Sequence, residues 1–197
     1  MILGISSKKQ GGKTTTIDHL KKQLMSDYAV HCFADSLKIV VVQCFIPAGT
    51  KPKGMSSIDW VEHNKDFVVP ALGMNVRQLL QFFGTDIVRG IWSEAWVNAW
   101  KNRVLDSKSA KYVLVGDVRF PNEVQAIQSI GGKVIRLTRA PHPEDAHASE
   151  TELDGWGVKD ESNPVGFDAI VDNANKTIEQ TNKIVWDMVF KGGWVNL

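Results

Sequence analysis

ILGISSKKQGGKTTT, residues 2–16, joins a short apolar run to a loop of serine, lysine and glycine and then to three threonines. Ile2 to Ser6 reads as a short buried strand. Ile17, Leu20 and Leu24 recur at helical spacing, so a helix is expected from Lys13 to about Ser26. The loop between them approaches the phosphate-binding pattern G-x-x-x-x-G-K-[S/T]. Gly12, Lys13 and Thr14 fill its second half, and Ser7 stands where the first glycine belongs. In such a loop, backbone N–H groups at a helix start carry partial positive charge and face an anion. Lys13 would reach the β- and γ-phosphates and the Thr14 hydroxyl would ligate magnesium. A basic surface turn leading into a helix is the competing reading. It does not explain why strand, glycines, lysine, threonine and helix all fall in register. Ser7 weakens the pattern without abolishing it, because the later amides do not depend on a glycine at 7.

Outward from this stretch, strands and helices alternate. Further strands are expected at Ala29 to Phe33, Tyr112 to Val115, Lys133 to Thr138 and Ala169 to Val171. Helices are expected at Leu37 to Phe45, around Val76 to Phe83, from Ser93 to about Leu105, from Pro121 to the Gly131-Gly132 pair, and from about Lys176 to Phe190. That alternation predicts an α/β domain over 1–197, with a parallel sheet and right-handed crossovers. Ligands in such sheets bind beyond the strand carboxyl ends. Two long polar excursions, 46–70 and 140–163, interrupt the pattern. Pro47 to Lys65 is expected to be irregular. The first excursion is a candidate substrate flap and the second a candidate lid, since long loops in compact domains are usually functional.

Composition narrows the field. The chain has 197 residues, with 23 Lys plus Arg against 22 Asp plus Glu, a net charge of +1. No bulk electrostatic attraction to nucleic acid or a membrane surface follows, so any polyanion site must be local. Cys32 and Cys44 form no C-x-x-C pair, which argues against a zinc ribbon or disulfide framework and fits a reducing cytoplasm. The first residues lack the basic start and long apolar run of a signal peptide. No apolar stretch approaches the roughly 18 residues that span a bilayer.

A phosphate loop that transfers rather than merely holds phosphate needs a second anion brought close and its charge neutralised. Arginine's planar fork suits that task. Arg77, Arg89, Arg119 and Arg139 lie near expected strand ends, loops or helix starts, whereas Arg103 reads as surface. Arg77 could equally be a solvated helix residue. Asp117 ends the apolar run Tyr-Val-Leu-Val-Gly-Asp. If that strand neighbours the first, Asp117 lies beside the loop and can hold magnesium through water; otherwise it is a turn residue before Pro121. Trp92, Trp96 and Trp100 at four-residue spacing read as one buried helix face, and Phe82 and Phe83 as core. His147 reads as a lid residue, and His19, His31 and His63 show no metal pattern.

Five stretches together resemble the bacteriophage deoxynucleoside monophosphate kinases, phosphate-loop enzymes related in architecture to adenylate and thymidylate kinases. They are QGGKTT (10–15), FADSLK (33–38), VRQLLQFFGTD (76–86), VGDVRFPNEVQAIQSIGGKVIRLTR (115–139) and HASETEL (147–153). The resemblance implies a five-stranded parallel sheet of order 2-3-1-4-5. It implies transfer of the γ-phosphoryl group of ATP, with Mg2+, to a deoxynucleoside monophosphate. On this reading Lys9, Gly11, Gly12, Lys13, Thr14, Thr15 and Arg139 hold ATP. Asp35, Lys38, Arg77, Gln81, Thr85, Asp86, Arg89 and Arg119 serve the monophosphate. Thr14 and Asp117 position the metal, and Lys13, Arg119 and Arg139 are catalytic. The expected partners are the two nucleotides, with neither nucleic acid nor membrane and with room for a homodimer. The expected location is the cytoplasm, the host's if the gene is a phage's. A dephospho-coenzyme A kinase and a non-catalytic nucleotide-binding regulatory module are the alternatives.

Overall fold

The protein is described by a computed structural model covering residues 1–106, 110–142 and 147–194. It comprises two compact units, Met1–Cys32 with Arg103–Leu197, and Phe33–Asn102.

The first unit is built on five parallel strands: β1 (Ile2–Ser6), β2 (Tyr28–Val30), β5 (Tyr112–Val118), β6 (Lys133–Leu137) and β7 (Ala169–Val171). Their order is β2-β5-β1-β6-β7, which is 2-3-1-4-5 when these strands are counted along the chain. β1 is central, with Leu3 beside Leu114 on one flank and Lys133 on the other. Among the described residues β2 is an edge strand paired only to β5, and it stops at Val30 rather than continuing to Phe33 as the sequence suggested.

Alternation along β1 sorts the two faces. Leu3 and Ile5 join Ile17, Leu20 and Leu24 of α1 (Lys13–Leu24) and Val185 of α8 (Ile178–Trp186) in one buried cluster. On the opposite face Gly4 lies under α6 (Pro121–Ser129), where a Cβ would stand 2.7 Å from Ile127 Cδ1. The glycine therefore sets how closely helix and strand approach. α8 begins at a capping box, Thr177 with Gln180, and continues as a π-helical segment Asp187–Lys191.

The second unit holds α2 (Asp35–Phe45), α3 (Ser57–His63), the short antiparallel pair β3 (Val68–Val69) and β4 (Met74–Asn75), and α4 (Val76–Gln81). α4 continues as a π-helical segment, Phe82–Arg89, and α5 (Ala95–Asp106) follows. α3 interrupts the excursion expected to be irregular. Ser56 caps it by accepting the Asp59 N–H, and Trp60 and Val61 bury its inner face among Leu37, Val41, Val76 and Leu79. Trp96 and Trp100 are buried as expected, but Trp92 is 54% exposed because α5 starts three residues after it. Phe83 packs edge-on against Phe45, whereas Phe82 is 43% exposed and outside the core. Among the described residues no helix is long and apolar enough to cross a membrane.

Candidate active site

The loop between β1 and α1 stands at the carboxyl end of the central strand. Gly12 is the residue before the helix, with φ 105°, a conformation open to glycine and strained for other residues. Gly11 needs to be glycine for a different reason. A Cβ there would lie 2.5 Å from the Arg139 carbonyl oxygen and 2.8 Å from Ser7 Cβ and Oγ. Ser7 itself is buried and does not appear among the positive-φ positions. The left-handed turn falls on Gln10 instead, at φ 58°. The chain thus bends at 10–12, and position 7 carries a side chain without backbone strain. Lys13 lies over the loop, its Nζ donating to the carbonyls of Ser7 at 2.7 Å and Lys8 at 3.3 Å. Thr14 and Thr15 are exposed in the first turn of α1.

Three segments wall the loop. The first follows β5. Glu123, at the third position of α6, accepts the backbone N–H groups of Arg119 at 2.7 Å and Phe120 at 3.1 Å. This is why Arg-Phe-Pro-Asn-Glu turns sharply, with Pro121 at the helix start where no N–H is needed. The second wall is α7 (Ala148–Thr151) and the turn after it. Glu150 Oε2 accepts the Lys9 backbone N–H at 2.7 Å, and Glu150 Oε1 pairs with Arg119 Nη1. Arg119 Nη1 also donates to the Ser149 carbonyl at 2.9 Å. Asp154 meets Lys8 Nζ at 2.6 Å and Arg136 Nη2 at 3.5 Å. Of the segment 140–163 expected to be a lid, 143–146 lie outside the described residues.

The third wall is the end of β7. Asn173, 1% exposed, donates from Nδ2 to the Gly11 carbonyl at 3.0 Å and accepts the Arg139 backbone N–H at Oδ1, 2.8 Å. Arg139 Nη2 donates to the carbonyls of Asn173 and Lys176. Arg136 is held between Ser6 Oγ, 2.9 Å from Nη1, and Asp154. Burial depresses its pKa most, Asp154 opposes that, and the neighbouring Arg119 charge adds to it. A guanidinium nonetheless stays charged.

Asp117 is in β5, which does neighbour β1: Val118 is level with Ser6, the last residue before the loop. Lys9, Gly11, Gly12, Lys13, Thr14, Thr15, Asp117, Arg119 and Arg139 therefore all belong to the first unit, on or beside one loop.

The other candidates gather in the second unit. Arg77 is the second residue of α4, behind a capping box in which Asn75 and Gln78 exchange hydrogen bonds at 2.8 and 3.0 Å. Its side chain is 42% exposed, with Asp66 4.0 Å away. Gln81 ends α4, and Thr85, Asp86 and Arg89 ride on the π-helical segment, where Gly84 lets the backbone approach Leu37: a Cβ there would be 2.4 Å from Leu37 Cδ2. Trp96 Nε1 fixes that segment by donating to the Gly84 carbonyl at 2.9 Å. Asp35 and Lys38 are buried in the first turn of α2. Lys38 Nζ lies 3.4 Å from Asp35 Oδ1 and 2.7 Å from Glu62 Oε1.

Burial alone would raise the Glu62 carboxyl, but Lys38 and Lys65 hold it at about 2, below the ordinary 4.5. A depressed carboxyl contributes stability that is fully present above about 4.5 and lost as pH falls toward about 2. NMR titration should show Glu62 ionised at pH 3.5 in the native protein, with Lys38→Met returning its midpoint toward the ordinary value. A native midpoint near the ordinary value would contradict the pairing.

Sequence reasoning missed Glu62, Glu123, Arg136, Glu150, Asp154 and Asn173. Arg136 was signalled by an arginine inside the apolar run Lys-Val-Ile-Arg-Leu, and Glu123 by its place three residues after Phe120. Glu150 lies in the family-like stretch HASETEL, which assigned it no role, and nothing local marks Glu62, Asp154 or Asn173.

A glycine-bent loop at the end of a central parallel strand, a lysine folded over it and arginines in its walls define the phosphate-loop kinase class. The sequence model of the family "Deoxynucleotide monophosphate kinase" matches residues 29–184. A protein of Acanthamoeba polyphaga mimivirus, provisionally named a deoxynucleotide monophosphate kinase, is 27% identical over 192 residues, covering 91% of each chain. The chain belongs to the deoxynucleotide monophosphate kinase family.

Proposed function

We propose that the protein transfers the γ-phosphoryl group of ATP to a deoxynucleoside monophosphate, giving a deoxynucleoside diphosphate and ADP. The observation that carries this reading is the loop itself, with Gly11, Gly12 and Lys13 at the start of α1 and the Arg119 guanidinium in its wall. The amides at the start of α1 and Lys13 bind the donor's phosphates, while the Lys9 amide is given to Glu150. Arg119 and Arg139 neutralise charge on the group in transit, the main service a protein performs in phosphoryl transfer. Asp35, Lys38, Arg77, Gln81, Thr85, Asp86 and Arg89 receive the monophosphate. The acceptor is itself a phosphate, whose second pKa of about 6 leaves it largely deprotonated at neutral pH, so no general base is required.

Magnesium fits the residues present. Thr14 offers a hydroxyl in the exposed first turn of α1, and Asp117 a carboxylate on the strand beside β1. Among the described residues no group of three or more His, Cys, Asp or Glu could form a metal cage. Magnesium asks for less: one or two carboxylate or hydroxyl oxygens, with water and substrate phosphates completing its shell. Bound there, it would supply charge neutralisation on the donor phosphates.

ADP release measured with each of the four deoxynucleoside monophosphates, and with dephospho-coenzyme A as a control acceptor, tests the reading. It expects turnover with at least one monophosphate and none with the control. ADP formed only with dephospho-coenzyme A, or with no acceptor at all, would overturn it.

The loop geometry yields a paired expectation. Ser7→Gly should alter ATP affinity by less than about threefold, under roughly 0.7 kcal/mol. It should lower the melting temperature slightly, because glycine favours the unfolded chain. Gln10→Gly removes a non-glycine residue from the left-handed region, a relief of about 1–2 kcal/mol, and should melt no lower than wild type. A higher melting point for Ser7→Gly would show that position 7 is the strained one.

A further inference from the structure

Glu150 has a place in the first unit that a structural carboxylate does not require. Its side chain is 5% exposed, and both its oxygens are spent on the candidate site. One accepts the Lys9 N–H, an amide of the phosphate loop; the other pairs with Arg119. The neighbouring Ser149 carbonyl takes a second bond from the same Arg119 nitrogen, so Nη1 is committed to α7. A buried ion pair stabilises a fold no better than well-packed apolar residues of the same volume. What it does provide is geometry. A carboxylate with one oxygen on the loop and one on the guanidinium fixes the separation and orientation of the two.

The charges nearby make such a tether useful. Lys8, Arg119 and Arg136 crowd around the loop, with Glu150 and Asp154 between them. Asp154 serves Lys8 and Arg136, and Glu150 serves Arg119. The backbone of Arg119 is already set by Glu123, so its remaining freedom lies in the side chain. An arginine that must meet charge in a transition state gains from being fixed beforehand, since misplacement by about 1 Å can cost on the order of 100-fold.

We propose that Glu150 is a positioning residue for phosphoryl transfer, holding the Arg119 guanidinium in register with the phosphate loop through the Lys9 amide. The inference rests on the kinase reading and adds a residue to it. Glu150 touches neither nucleotide in this account; it acts through Arg119.

A double-mutant cycle on the full-length protein tests this, with kcat, both KM values and melting temperature read for wild type, Glu150→Ala, Glu150→Gln, Arg119→Ala and the Glu150→Ala/Arg119→Ala double variant. Glu150→Ala should lower kcat on the order of 10- to 100-fold with less than about threefold change in the KM for ATP. Glu150→Gln keeps the shape but offers one acceptor where two are needed, so its kcat should fall between wild type and Glu150→Ala. If Glu150→Ala does not fold, the glutamine variant carries the comparison. In the Arg119→Ala background, Glu150→Ala should cost no more than about twofold further in kcat, because the arginine it positions is gone. There it should also raise the melting temperature, because a buried carboxylate without its cation is removed. A kcat within twofold of wild type in both single Glu150 variants would overturn the proposal, and so would the same fold-loss from Glu150→Ala in both backgrounds. A wild-type protein that forms no ADP would instead sink the kinase reading, a separate outcome.

Discussion

Lys13→Ala should lower kcat by on the order of 10²–10³-fold while leaving a folded protein. The lysine stands at the first position of α1, and its ammonium lies within 3.3 Å of two loop carbonyls. It is therefore held over the loop to which the proposed function assigns the donor's phosphates. In phosphoryl transfer charge builds on the oxygens of the group in transit and on the leaving oxygen. A cation that follows that charge lowers the barrier more than it tightens ground-state binding, so kcat should suffer more than the KM for ATP. The two carbonyl hydrogen bonds lost are part-buried and come from a charged donor, a type worth about 1.5–3 kcal/mol each. For a chain of this size the melting point should fall by about 2–4 °C per kcal/mol lost, so the variant is assayed well below its own midpoint. Circular dichroism and a melting curve confirm the fold, and steady-state kinetics read the loss. Wild-type turnover in a folded Lys13→Ala protein would remove the lysine from the site.

Arg77→Ala should raise the KM for the monophosphate at least tenfold and the KM for ATP less than threefold, consistent with loss of a charge-assisted contact worth about 1.5–3 kcal/mol. Arg77 belongs to the second unit, on a capped helix carried by the family-like stretch 76–86. The loop proposed to hold the donor belongs to the first. The side chain is 42% exposed and Asp66 is 4.0 Å away, so among the described residues no tight pair must be broken before it can meet a substrate phosphate. Arg77→Lys should recover little, because an ammonium cannot reproduce a planar two-pronged donor. Equal rises in both KM values would deny the division of donor and acceptor between the two sets of residues.

Much of the fold could be read from the sequence because its signals are local. The apolar run 2–6, the glycines at 11 and 12 and the Ile17, Leu20, Leu24 spacing together specify strand, loop and helix. Asp117 came into place because a parallel sheet sets strand ends level, and β5 turned out to pair with β1. α3 escaped because seven residues carry too little periodicity to outweigh the proline and glycine around them. Trp92 escaped because four-residue spacing says nothing about where a helix begins. The walls of the loop were harder. Glu150 and Arg119 are 31 residues apart, and Asn173 and Gly11 are 162 apart. Such contacts arise only when the sheet brings the ends of β5, β6 and β7 alongside the loop, and no spacing in the chain announces them. The sequence could name Lys13, Arg119 and Arg139; the contacts that Glu150, Asp154 and Asn173 make with the loop and its cations appear only in the folded chain.

The central claim is group transfer between two nucleotides, and following the transferred group tests it most directly. ATP labelled at the γ-phosphate is incubated with Mg2+, the wild-type protein and each deoxynucleoside monophosphate in turn, with Lys13→Ala beside it, and the labelled products are separated. The account predicts label in the deoxynucleoside diphosphate for at least one acceptor with wild type, and only a trace with Lys13→Ala. Label that stays in ATP or appears only as free phosphate with all four monophosphates would contradict it.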